Sequence, residues 1–431
     1  MAPEVIGIIG IVALIVLICC RLWIGAALAI VGFVGIIVMN GWNTAMGVVV
    51  TAPFSNIDNY VTTAIPMFTL MGMIIAETSI GRNLFDFANK FLGRRRGGVA
   101  SATVVAAGLM GAITGSDNVS CVIMSKLALP ELKRLNYADS LSTASVAAGA
   151  PLAILIPPSM AFIMYAMLME QSVSQLFMAG IIPGVIMVIA FVIAISIACR
   201  INPKLGPQGE KFTRKEKLRS LVGVIPVVVL FLLVLGSIYL GICSPTEAGA
   251  LGSLGAFIIA LISRDMSWKK LWKILVESVL AVGFVLFMLC GTYVFIKFVA
   301  LSKLPFAITN FVIGLNVAPA IILLAVSIMY VILGMLMPQI PMMILTVPLL
   351  APAMMALGFD VIWFGVFVVM MMALGAVSPP IGMDAFIVSG LSGVPVTTVY
   401  SGMLPFIIAD LLVILLCCVW PQIVTWLPGA M

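Results

Sequence analysis

Residues 148–159 read AGAPLAILIPPS, and residues 375–380 read GAVSPP. Both stretches place small residues and two adjacent prolines inside a long apolar run, at 138–170 and 361–390 respectively. Proline removes a main-chain N–H group and clashes with the preceding helical turn, so it interrupts a helix. We therefore predict two membrane-embedded helices that are broken near their middle.

The composition around these stretches is typical of a membrane protein. Of 431 residues, 63% are hydrophobic and only 9% are charged, whereas a soluble domain carries about 25% charged residues. Further apolar runs of bilayer-spanning length lie near 3–20, 22–40, 61–79, 175–198, 221–241, 247–263, 274–299 and 398–420. The sequence predicts an all-α polytopic membrane protein.

Several classes of function are excluded or disfavoured by what the sequence lacks. It has no histidine, and no phosphate-binding G-x-x-x-x-G-K-[ST] motif occurs in it. Its basic residues stand in short loops between apolar runs, so they do not indicate nucleic acid. No nucleophile–base set or metal cluster is evident, so we expect neither an enzyme nor an organic cofactor. The 29 methionines are expected to be apolar filler.

The two halves of the chain are related by an internal repeat. The offset that carries Pro157 onto Pro379 also carries Pro130 onto Pro352 and Pro158 onto Pro380. Before each broken helix lies a stretch long enough for two passes, 98–134 and 317–357, whose middle is a poor helix: GSDNVS at 115–120 and MPQIP at 337–341. Irregular backbone at membrane depth survives only inside protein or beside a water-filled cavity. We interpret both stretches as re-entrant hairpins.

Positive charge sets the predicted orientation. The basic clusters lie at 94–96, 133–134, 200–219 and 264–273, and basic loops favour the cytoplasmic side. Segment 98–134 then begins and ends on one side, as a re-entrant hairpin does. Each repeat has five true crossings, an odd number, so the repeats are inverted. Both termini are predicted to be periplasmic.

Inverted repeats with paired broken helices are typical of secondary transporters that bind substrate near the membrane midplane. A channel or an inert scaffold is the alternative, but a pore would need polar residues repeated along a helix face. In the first hairpin tip, a helix ending at Gly115 offers carbonyl oxygens to a sodium ion. A helix starting near Asn118 offers N–H groups to a carboxylate. The alternative for this tip is a plain hairpin cap.

Other polar groups at membrane depth are few. Pro151 leaves the Ala147 carbonyl without its helical donor. The corresponding stretches of the second repeat, 334–341 and 375–380, offer only Gln339 and Ser378 as side-chain oxygen, so an ion there would rely on main-chain carbonyls. The remaining charged residues within apolar runs are Lys126, Lys297, Asp384 and Asp410. Lys126 either pairs with Asp117, contacts an anion or extends to the cytoplasmic interface, and Asp410 is expected to face protein.

These features divide the chain into eight segments; the labels scaffold and transport domain are implied only by the family resemblance given in the next paragraph. The segments are scaffold helices of the first repeat (1–80), an amphipathic arm (81–97), a transport-domain hairpin and broken helix (98–170), a helix with a basic cytoplasmic loop (171–219), scaffold helices of the second repeat (220–300), a second arm (301–316), a second transport-domain hairpin and broken helix (317–397), and a final helix (398–431).

Several motifs in this order resemble the large membrane (M) subunit of tripartite ATP-independent periplasmic (TRAP) transporters, within the ion transporter superfamily. They are GSDNVSCVIMSKLALPELKRLNY, AILIPPSMAFIMYA, SPTEAGALG, LTVPLLAP, LGFDVIWFGV, VSPPIGMDAFIVSG and the closing WLP. The resemblance runs from about Pro66 to Pro428. It implies a bacterial or archaeal inner-membrane protein that works by an elevator mechanism. It also implies two partners, a small four-helix membrane subunit and a periplasmic substrate-binding protein.

Transferred by position, the resemblance implies two sodium sites. The first sodium site falls on Ser116, Asn118 and Gly149, and the second on Gly334, Gly375 and Ser378. We assign the organic anion to Asp117, Ser120, Pro157, Pro158, Gln339, Pro379 and Pro380.

Four positions depart from the family pattern. Pro338-Gln339 stands where relatives commonly have Asp-Gly, and Ser378 where threonine is usual. Asp117 stands where small residues are common, and Asp384 where asparagine is frequent.

The sequence thus favours sodium-coupled uptake of a small organic anion, with sodium ions as the coupling ions. The nearest alternative is a self-sufficient anion/sodium symporter of the same superfamily. A membrane-embedded enzyme or scaffold is a distant third.

Overall fold

A computed structural model describes residues 2–20, 22–315, 317–380 and 382–430 of the chain. Within these ranges every extended regular element is a helix, and a single isolated β-bridge joins Arg96 to Gln208. Six of the described helices are long and apolar enough to cross a membrane, and two bent helix pairs would raise the number to eight. The predicted all-α membrane fold is confirmed.

Five helices precede the first hairpin: α1 (Pro3–Cys19), α2 (Ile24–Asn40), α3 (Trp42–Ile57), α4 (Ala64–Ala76) and α5 (Ile80–Leu92). The predicted crossings at 3–20 and 22–40 correspond to α1 and α2, each of 17 residues, near the lower limit for spanning a bilayer. The segments Tyr60–Ala76 and Ile80–Leu92 meet at an angle of 67°. The sharp bend makes α5 an arm that leaves the direction of α4.

The first hairpin and the first broken helix follow directly. They comprise α6 (Gly98–Thr114), α7 (Asp117–Arg134), α8 (Asp139–Gly149), α9 (Leu152–Leu155) and α10 (Met160–Met169). Asp139–Leu155 and Met160–Met169 are bent by 41°, and the peptide bond between Pro157 and Pro158 is cis. The break therefore lies at the Pro-Pro pair, as the sequence predicts.

The middle of the chain forms long helices: α11 (Val173–Ile201), α12 (Arg214–Phe231), α13 (Ser237–Tyr239), α14 (Pro245–Ile262), α15 (Trp268–Leu301) and α16 (Leu304–Gly314). A π-helical turn at Leu232–Gly236 joins α12 to α13. The two therefore form one continuous helix over Arg214–Tyr239. Helix α15 has 34 residues and packs along α2.

The second half ends with a hairpin, a broken helix and a long final helix: α17 (Pro319–Leu336), α18 (Gln339–Ala356), α19 (Val361–Val377), α20 (Met383–Ser392), α21 (Val396–Val419) and α22 (Gln422–Thr425). Both hairpins consist of helices of 17 or 18 residues. Each is followed by a helix broken at a Pro-Pro pair, and both pairs are cis.

The helices form two groups of contacts. In one group, α2 packs on α15 and α4 packs on α14. In the other, α8 packs on α21 and α17 packs on α19. Helix α19 is the centre of the second group, because every residue from Ile362 to Val377 is buried.

Candidate functional site

The tip of the first hairpin touches the first helix break. Helix α6 ends at Thr114, and Gly115 adopts a left-handed conformation with φ of +60°. A Cβ atom on Gly115 would lie 2.6 Å from the carbonyl oxygen of Pro158, and the Met160 N–H donates to the Gly115 carbonyl at 3.3 Å. Only glycine fits this turn without strain. Ser116 is the extended N-cap of α7, and its side chain makes no capping hydrogen bond.

The second tip meets the second broken helix through two glycines. A Cβ atom on Gly334 would lie 2.7 Å from the Cα of Gly375, and one on Gly375 would lie 2.8 Å from the Cα of Gly334. The main chains of α17 and α19 are therefore in contact. Pro338 is the extended N-cap of α18, which begins at Gln339.

A cavity of about 310 Å³ separates the two hairpin tips from α2, α4 and α15. The first residues of α7 and the first residues of α18 both face it. Helix N-termini carry N–H groups without helical acceptors and a partial positive charge, so two such ends around one cavity favour negative charge, which at α7 includes the carboxylate of Asp117 itself. The lining residues are Ile24, Thr69, Gly72, Met73, Thr114, Gly115, Ser116, Asp117, Asn118, Val119, Ile154, Met160, Ala161, Ala281, Phe284, Val285, Met288, Gly334, Met337, Pro338, Gln339, Ile340, Pro341, Ala376 and Met383.

Asp117 is the one charged side chain among these described lining residues. The side-chain amide of Gln339 is close to its carboxylate, although the Gln339 Nε2 atom has no hydrogen bond of standard geometry among the described residues. Lys126 is exposed on α7 and forms no ion pair with Asp117 in the described part of the chain. No described lysine or arginine lines the cavity.

The structure brings five of the predicted site residues to the cavity: Ser116, Asp117, Asn118, Gly334 and Gln339. Gly375 lies directly behind Gly334. The sodium and substrate assignments themselves stay predictions.

The other predicted residues lie outside the cavity lining. Ser120 is fully buried within α7, and a Cβ on Gly149 would meet Ala107 at 3.0 Å. The Ser378 hydroxyl donates to the Leu374 carbonyl at 2.7 Å. At the breaks, Pro157 and Pro158 are buried, whereas Pro379 and Pro380 are exposed.

Sequence reasoning missed the contribution of the helices opposite the tips. Thr69 of α4, and Phe284 and Met288 of α15, line the cavity. These residues lie in predominantly apolar runs, so their composition gave no signal. Gly72 of α4 also lines the cavity, and a Cβ on Gly72 would lie 3.0 Å from the Thr114 carbonyl oxygen.

Comparisons with known proteins decide the family. Residues 11–423 match the family described as "Tripartite ATP-independent periplasmic transporter, DctM component". The chain belongs to this family. One relative of the DctM-family chain is the C4-dicarboxylate TRAP transporter large permease protein DctM of Pseudomonas aeruginosa, 31% identical over 87% of this chain and 86% of that protein. Another is the sialic acid TRAP transporter large permease protein SiaM of Vibrio cholerae, 28% identical over 94% of both chains.

The fold of this DctM-family chain is also similar to that of a solved transporter. The Alcanivorax borkumensis YdaH transporter aligns with a TM-score of 0.62 at 14% identity, covering 99% of this chain and all of that one. At this identity the likeness concerns the fold alone. Together with the apolar helices, family membership makes the chain a multi-pass transporter subunit of the bacterial inner membrane.

Proposed function

We propose that the chain imports a small organic anion, driven by sodium, as the large membrane subunit of a TRAP system. The cavity between the two hairpin tips supports this most directly, because the N-termini of α7 and α18 both face it. Two helix N-termini can hold a carboxylate without a basic side chain. The relatives named above are described as carriers of C4-dicarboxylates and of sialic acid, which are organic acids.

Sodium is proposed to bind beside the same tips. Ser116, Asn118 and Gly149 would form the first site, and Gly334, Gly375 and Ser378 the second. The Ser116 hydroxyl makes no capping hydrogen bond, so its oxygen is available to a hard cation. The Gly334–Gly375 contact brings the main chains of α17 and α19 together, where carbonyl oxygens can supply ligands.

We further propose that one part of the chain moves against the other in an elevator movement. In our proposal the transport domain comprises 98–170 and 317–397, and it moves against scaffold helices at 1–80 and 220–300. Segments 81–97 and 301–316 would act as connecting arms. The cavity supports this division because its walls come from both parts: α7 and α18 of the proposed transport domain on one side, and α2 and α15 of the proposed scaffold on the other.

Dependence on partners is the decisive test. Reconstituted alone, the chain should show negligible anion uptake. Adding a small four-helix membrane subunit, loaded periplasmic binding protein and an inward sodium gradient should restore uptake. Robust sodium-driven uptake by the chain alone would favour a self-sufficient symporter, and substrate turnover to a new compound would favour an enzyme.

A further inference from the structure

Asp384 is an ionisable residue that does not line the cavity. It occupies the first turn of α20 and is 0% exposed. Neither of its carboxylate oxygens has a hydrogen-bond partner among the described residues. A buried carboxylate without a partner is strongly unfavourable, so this position requires either a bound proton or a compensating cation.

Helix α7 also carries an unsatisfied buried oxygen. Helix α20 packs on α7, and the Cys121 thiol lies 3.9 Å from the Asp384 carbonyl oxygen. One residue earlier, Ser120 is 0% exposed, and its hydroxyl has no partner in the described part of the chain. Two neighbouring helices thus present buried oxygens that satisfy neither each other nor a third described group.

A second carboxylate near Asp384 makes its burial still less favourable. The carboxylate of Asp117, one turn before Ser120 on α7, repels that of Asp384 electrostatically. The N-terminus of α20 offsets part of the negative charge, but a helix terminus contributes only about 0.3–1 kcal/mol in common settings. Lys126, the basic residue of α7 closest to this face in sequence, is exposed. The described residues therefore supply two carboxylates and no cation.

We propose that Asp384 and Ser120 hold a further sodium ion between α7 and α20. Carboxylate and hydroxyl oxygens are the ligands that hard cations prefer. Neither residue lines the large cavity, and both are fully buried; the site therefore takes a bare ion rather than an organic cation. Its position beside Asp117 would couple occupancy of this site electrostatically to the first hairpin tip.

Equilibrium binding of ²²Na⁺ to the purified full-length chain tests the proposal without relying on uptake. Asp384→Asn preserves side-chain size and removes the charge, and it should lower the number of bound sodium ions by one per chain. Ser120→Ala should leave that number unchanged and weaken the affinity of one site about tenfold, which corresponds to 1.4 kcal/mol. Asp410→Asn is the matched control, because Asp410 is another buried carboxyl, on α21, and should leave binding unaltered.

An unchanged sodium number in folded Asp384→Asn protein would mean that the carboxyl carries a proton, and the proposal would be wrong. If that variant does not fold, Ser120→Ala decides: unaltered sodium affinity overturns the site. Ser116→Ala, measured in the same assay, reports on the separately proposed tip site. Failure of one site is therefore distinguishable from failure of the other.

Discussion

Gly334 and Gly375 show how single residues decide the packing at the site. Each lies on a helix, and a Cβ on either would come within 2.8 Å of the Cα of the other. Real Cβ atoms do not approach a main chain so closely, so the helices would have to separate. The contact holds the second tip against α19, immediately beside the cavity.

Gly334→Ala should therefore destabilise the protein by about 1–3 kcal/mol, the range for overpacking a well-packed interior. The measurement is the midpoint of thermal unfolding in detergent. Gly283→Ala is the control, because Gly283 lies within α15 and a Cβ there would meet nothing within 4 Å. Alanine is favoured over glycine in helices by up to about 1 kcal/mol, so the control should be neutral or stabilising. Equal destabilisation of both variants would contradict the packing argument.

Ser116 and Asn118 test the first sodium site at the same scale. Replacing either by alanine removes one candidate oxygen ligand, at a cost of about 1–3 kcal/mol. The sodium concentration for half-maximal uptake should then rise roughly 5- to 150-fold. Because ion and anion would share the tip, anion affinity at fixed sodium should fall as well.

The matched control for these variants is Ser196→Ala. The Ser196 hydroxyl only donates to the Val192 carbonyl within α11, at 2.8 Å. Ser196→Ala should leave the sodium dependence of uptake unchanged. Normal sodium dependence combined with poor folding of the tip variants would mean that the tip is only a cap.

At the scale of elements, the start of α5 is fixed by the loop between α14 and α15. The Ser79 N–H and hydroxyl both donate to the Asp265 carboxylate, at 2.9 and 2.6 Å. Burial raises the pKa of Asp265, but these hydrogen bonds and the positive charges of Lys270 and Arg82 lower it by more. The pKa of Asp265 therefore lies below its ordinary value. The arm is thus tied to the rest of the fold by an ionised group.

This contact should make stability depend on pH. A carboxyl whose pKa is lower in the folded state stabilises the fold above its unfolded pKa of about 3.9. That contribution is lost as the pH falls through the folded-state value. Asp265→Asn should therefore unfold at a lower temperature than the wild type at pH 7, and the difference should shrink as the pH falls below the unfolded-state pKa of about 3.9. A difference that is constant with pH would argue against the ionised contact, and Ser79→Ala should reproduce the effect.

Helix boundaries show where sequence patterns succeed and where they do not. The Pro-Pro breaks and the turn at Gly115 were predictable, because proline and glycine restrict the backbone locally. Helix α3 was not predicted as a crossing, since Asn43, Thr44 and Thr51 interrupt its apolar run. The predicted crossing at 274–299 covers only the apolar part of α15. The helix itself begins at Trp268, because its basic first turns are also helical.

At the scale of the whole molecule, orientation follows from charge alone and can be tested directly. In a background without the eight native cysteines, Leu205→Cys and Trp268→Cys should be protected from an impermeant thiol reagent in intact cells. Lys303→Cys should react. The reason is that the loops at 200–219 and 264–273 are rich in lysine and arginine, which favour the cytoplasmic side. Labelling at 205 or 268 would reverse or overturn the predicted topology.

The site as a whole could be predicted only in part. The polar tip at 115–120 was evident, because polar residues at membrane depth are rare. The closeness of Asp384 to α7 was not, since it depends on how α20 packs after the second break. Likewise, no periodicity showed that α2, α4 and α15 would form the opposite wall. Long-range packing, rather than local preference, decides these features.

The lining of the cavity has a consequence for how such a carrier changes over evolutionary time. Five of its lining residues are methionines: Met73, Met160, Met288, Met337 and Met383. Methionine side chains are unbranched and flexible, and they adapt to differently shaped neighbours without rearrangement of the backbone. A cavity with such deformable walls can accept an altered cargo before any of its own residues mutate. Under the function proposed above, new nutrients would then be acquired by exchanging the periplasmic binding protein, while the membrane subunit is inherited almost unchanged.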